Sequence, residues 1–186
     1  MTWIRKHARL VVFAALVAVQ LAAVATVTAR EEYYRRTGEE IVLRSEPVDP
    51  RDLLRGDYVI LGYAMQTIPV GGSPIRVNWW GQEGDDVYVV LEQRGRYWEP
   101  VEVRGSNESR SSRAKGTVIL KGRMDSGFES QRGRGDLFRI SYPSLERYYI
   151  PQGTGAPDTP PDVVVSVQGD GTARIKRLEV AEARWP

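Results

Sequence analysis

The run LVVFAALVAVQLAAVATVTA, Leu10–Ala29, constrains this chain more than any other stretch. It carries no charge, and Gln20, Thr26 and Thr28 are its only polar side chains. As a helix it is about 30 Å long, the thickness of a bilayer's hydrocarbon core. Backbone polar groups in lipid must be satisfied within the segment, so a helix is the form it takes. A core helix of a soluble domain would show a polar stripe, and this run is apolar on all sides. Arg5, Lys6 and Arg9 precede it, while Arg30, Glu31 and Glu32 follow with mixed sign. That asymmetry predicts residues 1–9 in the cytoplasm, a span over 10–29, and everything after it on the far side of the membrane. Ala23-Val24-Ala25 and Val27-Thr28-Ala29 also fit the small-residue pattern of a cleaved signal peptide. The apolar run is longer than a signal core of about 7–15 residues, which favours an uncleaved anchor.

REEYYRRTGEE should carry the helix a turn or two further, over 30–38, with Gly38 as the stop. Helical periodicity then fades. Short runs such as EIVLR, DYVILGYAM, DVYVVLEQ, YWEPVEVR, GTVILKGR, DLFRISY, RYYIP, DVVVSVQ and ARIKRLEV recur between Gly, Pro, Ser and Asp clusters. They predict a mainly β domain over 39–186, an antiparallel sandwich or partly open barrel. Arg94-Gly95-Arg96 and Gly169-Asp170-Gly171 read as hairpin turns, the second being the stronger signal. Ile175, Leu178 and Val180 break strict alternation in the last strand, which points to a bulge. Val70–Asp86, Gly105–Gly116 and Pro151–Asp162 read as loops.

Composition narrows the chemistry. There is no cysteine, which removes disulfides, thiolate nucleophiles and Cys-ligated zinc. The one histidine, His7, precedes the apolar run, so the β domain holds no base for a histidine triad and none of the usual zinc sites. We therefore expect no enzyme activity, no cofactor and no metal. The 26 Lys and Arg are nearly balanced by 24 Asp and Glu, often within one run, so no nucleic-acid partner is expected.

EPVDPRDLLRGDYVILGY, Glu46–Tyr63, is the densest stretch of the β domain. Pro47 and Pro50 force an extended approach and a turn. Asp49 or Asp52 is placed to accept backbone N–H bonds at the start of a single helical turn, with Pro50 at its first position. Gly56 ends the turn. The strand that follows puts Tyr58, Ile60 and Gly62 on one face and Val59, Leu61 and Tyr63 on the other, which predicts burial on both sides.

Gly56-Asp57-Tyr58-Val59-Ile60-Leu61-Gly62-Tyr63 fits the pattern G-D-Y-x-x-L-x-Y without a mismatch. The chain thereby resembles the GDYXXLXY proteins, an uncharacterised bacterial family. The lead-in PVDPRDLLRG, the stretch LERYYIPQGTG at Leu145–Gly155 and the closing VVVSVQGDGTARIKRLEV are also similar to that family's patterns. Gln152 departs from it, standing where an acid is usual. The resemblance implies a membrane-anchored extracytoplasmic domain that accompanies multi-spanning membrane proteins. It implies no catalysis and supplies no catalytic residues.

The candidate motif positions are then Pro47, Asp49, Pro50, Arg51, Gly56, Asp57, Tyr58, Leu61 and Tyr63, read as structural. Asp49, Asp52 and Asp57 also admit an acid–base reading, against which turn capping and pairing with Arg51 or Arg55 is the simpler account. Arg55-Gly56-Asp57 and Arg134-Gly135-Asp136 spell an adhesion triplet, but the first leads straight into a strand. Trp79-Trp80 and Tyr148-Tyr149 are candidate binding aromatics, with one member of each pair expected inward. The leading expectation is an accessory partner of an integral membrane protein; the alternative is an exported ligand-binding module.

Overall fold

The computed structural model describes residues 8–46, 58–70, 74–78, 81–105, 116–131, 135–152, 157 and 159–180, without the side chains of 70, 126–131 and 135–136. A helix α1 (Ala8–Thr37) leads into β1 (Glu39–Glu46), then β2 (Tyr58–Ile60), β3 (Gly62–Tyr63), a 3-10 turn at Ala64–Gln66, and β4 (Thr67–Val70). Next come β5 (Arg76–Val77), β6 (Asp86–Arg94), β7 (Tyr97–Gly105), β8 (Thr117–Gln131) and β9 (Gly135–Ser141). The chain closes on β10 (Arg147–Tyr149), β11 (Asp162–Val167) and β12 (Ala173–Glu179). The expected mainly β architecture behind one N-terminal apolar helix is what forms.

α1 is long and apolar enough to cross a membrane, and none of its apolar window is buried. It runs unbroken through the juxtamembrane residues and ends one residue before Gly38, at the predicted stop. A Cβ built on Gly38 would lie 2.2 Å from Ser166 Oγ and 2.8 Å from the Val167 backbone nitrogen and oxygen. Only glycine lets the helix end pass that close to β11.

The strands form a four-stranded sheet in the order β12-β11-β1-β3, a two-stranded ribbon β10-β2, and a curled six-stranded sheet β4-β9-β8-β6-β7-β5. Period-two alternation decides which side chains go inward. Val87, Val89 and Leu91 of β6, Val118, Leu120 and Met124 of β8, and Phe138 and Ile140 of β9 meet Ile41, Leu43, Val163, Val165 and Val167 of the other sheet in one continuous core. Each such side chain, fully buried, contributes about 1.5–3 kcal/mol. Pro69 sits in the edge strand β4, where a missing N–H is tolerated.

Both predicted hairpins are present. β6 and β7 pair through Arg94↔Tyr97, and β11 and β12 pair through Val167↔Ala173. The expected bulge is there too: Val164 faces Arg177 and Val165 faces Ile175, leaving Lys176 as the extra residue. Three expectations need correction. The stretch Val70–Asp86 is not all loop: β5 lies within it and runs parallel to β7, so pairing is not wholly antiparallel. Tyr58–Tyr63 is not one strand but two, divided at Leu61, because β2 pairs with β10 and β3 with β1. Nor is it buried throughout on both faces: Val59, Leu61 and Tyr63 are buried on one, while on the other Gly62 is buried but Tyr58 and Ile60 are half-exposed.

Candidate functional site

The two motifs singled out in the sequence meet in the short ribbon. Tyr58 pairs with Tyr149, Val59 with Tyr148 and Ile60 with Arg147. The Leu61 N–H donates to the Glu146 carbonyl at 2.8 Å, and the Tyr63 hydroxyl donates to the buried Leu145 carbonyl at 2.8 Å. Burial holds the Tyr63 phenol well above the usual tyrosine range, with the Glu146 charge adding a little, so it stays a donor. Tyr142 is displaced upward by burial alone. At the surface the Tyr58 and Tyr149 rings sit 6.2 Å apart, with the Arg147 guanidinium 5.8 Å from the Tyr58 ring. Tyr148 packs on the core, whereas Tyr149 is 72 % exposed. The pair therefore divides as alternation requires.

Pro47, Asp49, Pro50, Arg51, Asp52, Gly56, Asp57, Trp79 and Trp80 lie outside the described residues. The acidic turn and the tryptophan pair thus have no stated place in the fold. Of the second adhesion triplet, Gly135 and Asp136 fall in β9, paired with Gln131 and Ser130.

A groove of about 280 Å3 opens between β1, the 3-10 turn and the β6–β7 hairpin. Leu43, Tyr63 and Met65 line its apolar part with Tyr97 and Trp98, and the charged lining is Arg44 and the Arg94–Glu99 pair, 3.5 Å apart. The Arg44 guanidinium stacks 4.3 Å from the Tyr97 ring. The Tyr97 hydroxyl donates to Asp162 at 3.2 Å, and Arg96 reaches Asp162 and Glu179 at 3.3 and 2.6 Å, tying the hairpin tip to the opposite sheet. Sequence reasoning missed Tyr97 and Trp98. The signal was an aromatic pair directly after the Arg94-Gly95-Arg96 turn, where the twist of a hairpin end turns side chains toward a neighbouring sheet.

A third cluster joins the helix to the domain. The last four carbonyls of any helix lack intrahelical partners. The Tyr34 carbonyl is one of these here, and it accepts from Ser166 Oγ and from Gln168 Nε2, each at 2.8 Å. One turn earlier the Glu31 carboxylate takes both arms of Arg174, from Nε and, at 2.9 Å, from Nη2. The same guanidinium lies 5.7 Å from the Tyr34 ring centre. Arg35 donates to the Lys176 carbonyl at 3.3 Å. Glu40 receives Lys176 and Arg177 at 2.6 and 2.9 Å, and those two cations hold its carboxyl below the usual range.

The one buried acid in β7 follows the same pattern. Glu102 binds Arg104 at 2.7 Å, Arg76 at 3.5 Å and the Asn78 amide at 2.6 Å. Arg104 chiefly depresses its pKa, so it is a pinned anion that fastens β5 to β7 and not a poised acid. What these clusters can do chemically is bind, stack and fasten.

A family model described as GDYXXLXY protein matches residues 20–178. No curated protein and no solved structure matches the chain.

Proposed function

Because the chain belongs to the GDYXXLXY protein family, and its N-terminal helix is long and apolar enough to cross a membrane, we propose a membrane-anchored accessory protein. In this reading the N-terminus is cytoplasmic, the β domain lies outside the cytoplasmic membrane, and the molecule docks without catalysis onto a multi-spanning integral membrane protein. One observation carries the reading: the apolar helix is fastened to the domain by Glu31–Arg174 and by the Tyr34 carbonyl to Ser166 and Gln168. A domain held in this way presents one face to a neighbour in the same bilayer, which a free tether would not. Photo-crosslinking from Val17 or Ala22 in intact cells, followed by gentle detergent extraction, should trap one membrane protein repeatedly. Recovery of the chain uncrosslinked and alone would refute the accessory role.

The groove favours a second reading, a module that binds an apolar ligand bearing an acidic group. The aromatic wall would take the apolar part, and Arg44 the charge, Arg94 being paired with Glu99. Trp98→Ala should then abolish a ligand-induced rise in melting temperature that Tyr149→Ala leaves intact. Equal shifts in both variants would end that reading.

A further inference from the structure

We propose that the domain stands edge-down on the bilayer, with the outer edge of β12 resting among phospholipid headgroups and the strands of its sheet running along the membrane plane. This deepens the anchored reading of α1 and rests on it. The argument is one of heights along the helix. Glu31 is bound to Arg174 of β12, Tyr34 to Ser166 of β11, and Gly38 opens into β1, while the long Arg35 side chain reaches back to the Lys176 carbonyl of β12. From Glu31 to Gly38 the helix climbs about 10.5 Å at 1.5 Å per residue. Two steps between neighbouring strands amount to roughly 9.5 Å. The helix therefore crosses the sheet strand by strand in the order β12, β11, β1, instead of running along any one of them.

Glu31 lies two residues past Ala29, the end of the apolar run. That is about 3 Å of rise, while the headgroup layer of one leaflet is roughly 5–7 Å deep. β12 is thus level with the headgroups, and β11, β1 and β3 lie successively above them. The chemistry of the strand agrees. β12 ends its sheet, so one row of its backbone N–H and C=O groups has no strand partner among the described residues, the Lys176 carbonyl accepting from Arg35 instead. Hydrated phosphates and glycerol esters supply acceptors and donors for such a row, and they cover an edge that would otherwise invite pairing with another chain. Arg174, Lys176 and Arg177 give the strand three cations to one acid, Glu179. Their side chains are already engaged by Glu31 and Glu40. The contact is therefore set by geometry and should persist on zwitterionic phosphatidylcholine.

The chain has no cysteine, so single labels are clean. Nitroxides at Arg177→Cys, Arg147→Cys and Ala22→Cys would be read in phosphatidylcholine vesicles that contain a lipid with a nickel-chelating headgroup. We expect nickel relaxation several-fold stronger at position 177 than at 147, on the far ribbon, and an oxygen-accessible, nickel-shielded label at 22. Lys176→Cys should repeat the reading at 177. If 177 and 176 match 147 while 22 stays shielded, the anchor stands and the edge-down placement falls. A label at 22 that is open to aqueous reagents overturns both.

Discussion

Four residues carry tests at their own scale. The Tyr63 hydroxyl satisfies a buried carbonyl at 2.8 Å, so Tyr63→Phe leaves the Leu145 acceptor without that donor. The expected loss is about 1–3 kcal/mol, read as a fall in the melting temperature of the detergent-solubilised chain. Leu61→Ala empties a buried site and should cost about 2–5 kcal/mol. Tyr149→Ala, on the same ribbon but exposed, should change little. Glu102 gives the pH test. Its pKa is depressed from the ordinary 4.5, so the stability it contributes is fully present above that value and drains away as pH falls through the lower, folded pKa. The wild-type melting temperature should therefore decline as pH falls below the ordinary carboxylate range, and Glu102→Gln should be less stable at neutral pH with a shallower decline.

At the scale of elements, Gly38 and the closing hairpin matter most. Gly38→Ala places a methyl group against Ser166 and the Val167 backbone, an overpacking expected to cost about 1–3 kcal/mol. If its melting temperature matched wild type, the close approach of helix and hairpin would be wrong. The hairpin also shows what the sequence made legible. Gly169-Asp170-Gly171 between two alternating runs located β11 and β12, and the broken alternation of Ile175, Leu178 and Val180 located the bulge. Both are local signals, written into neighbouring residues. β5 was not legible, because a two-residue strand has no period and forms only when the Arg76, Asn78 and Glu102 contacts draw it to β7. The division of Tyr58–Tyr63 between β10 and β1 was hidden for the same reason, since both partners are distant in the chain. The groove depended on the tip of the β6–β7 hairpin meeting the other sheet, which no single window of sequence contains.

For the whole molecule, the central claim is that helix and β domain behave as one body in the membrane. Among the described residues the contacts that unite them include a two-armed ion pair, two hydrogen bonds to a helix-end carbonyl, a Gln168 bond to the Thr37 hydroxyl, the Arg174 guanidinium over the Tyr34 ring, the Arg35 bond to the Lys176 carbonyl and the close approach of Gly38. Ion pairs this exposed contribute little singly, so the carbonyl bonds and the glycine contact should dominate. Ser166→Ala combined with Gln168→Ala should therefore loosen the junction more than Arg174→Ala alone. The most direct measurement is the distance distribution between nitroxides at Ala22→Cys in α1 and Glu92→Cys in β6, taken by pulsed electron resonance in lipid nanodiscs. One narrow peak that broadens in the Ser166→Ala, Gln168→Ala background is the predicted result; a broad, multi-peaked distribution in the otherwise unaltered chain would contradict it.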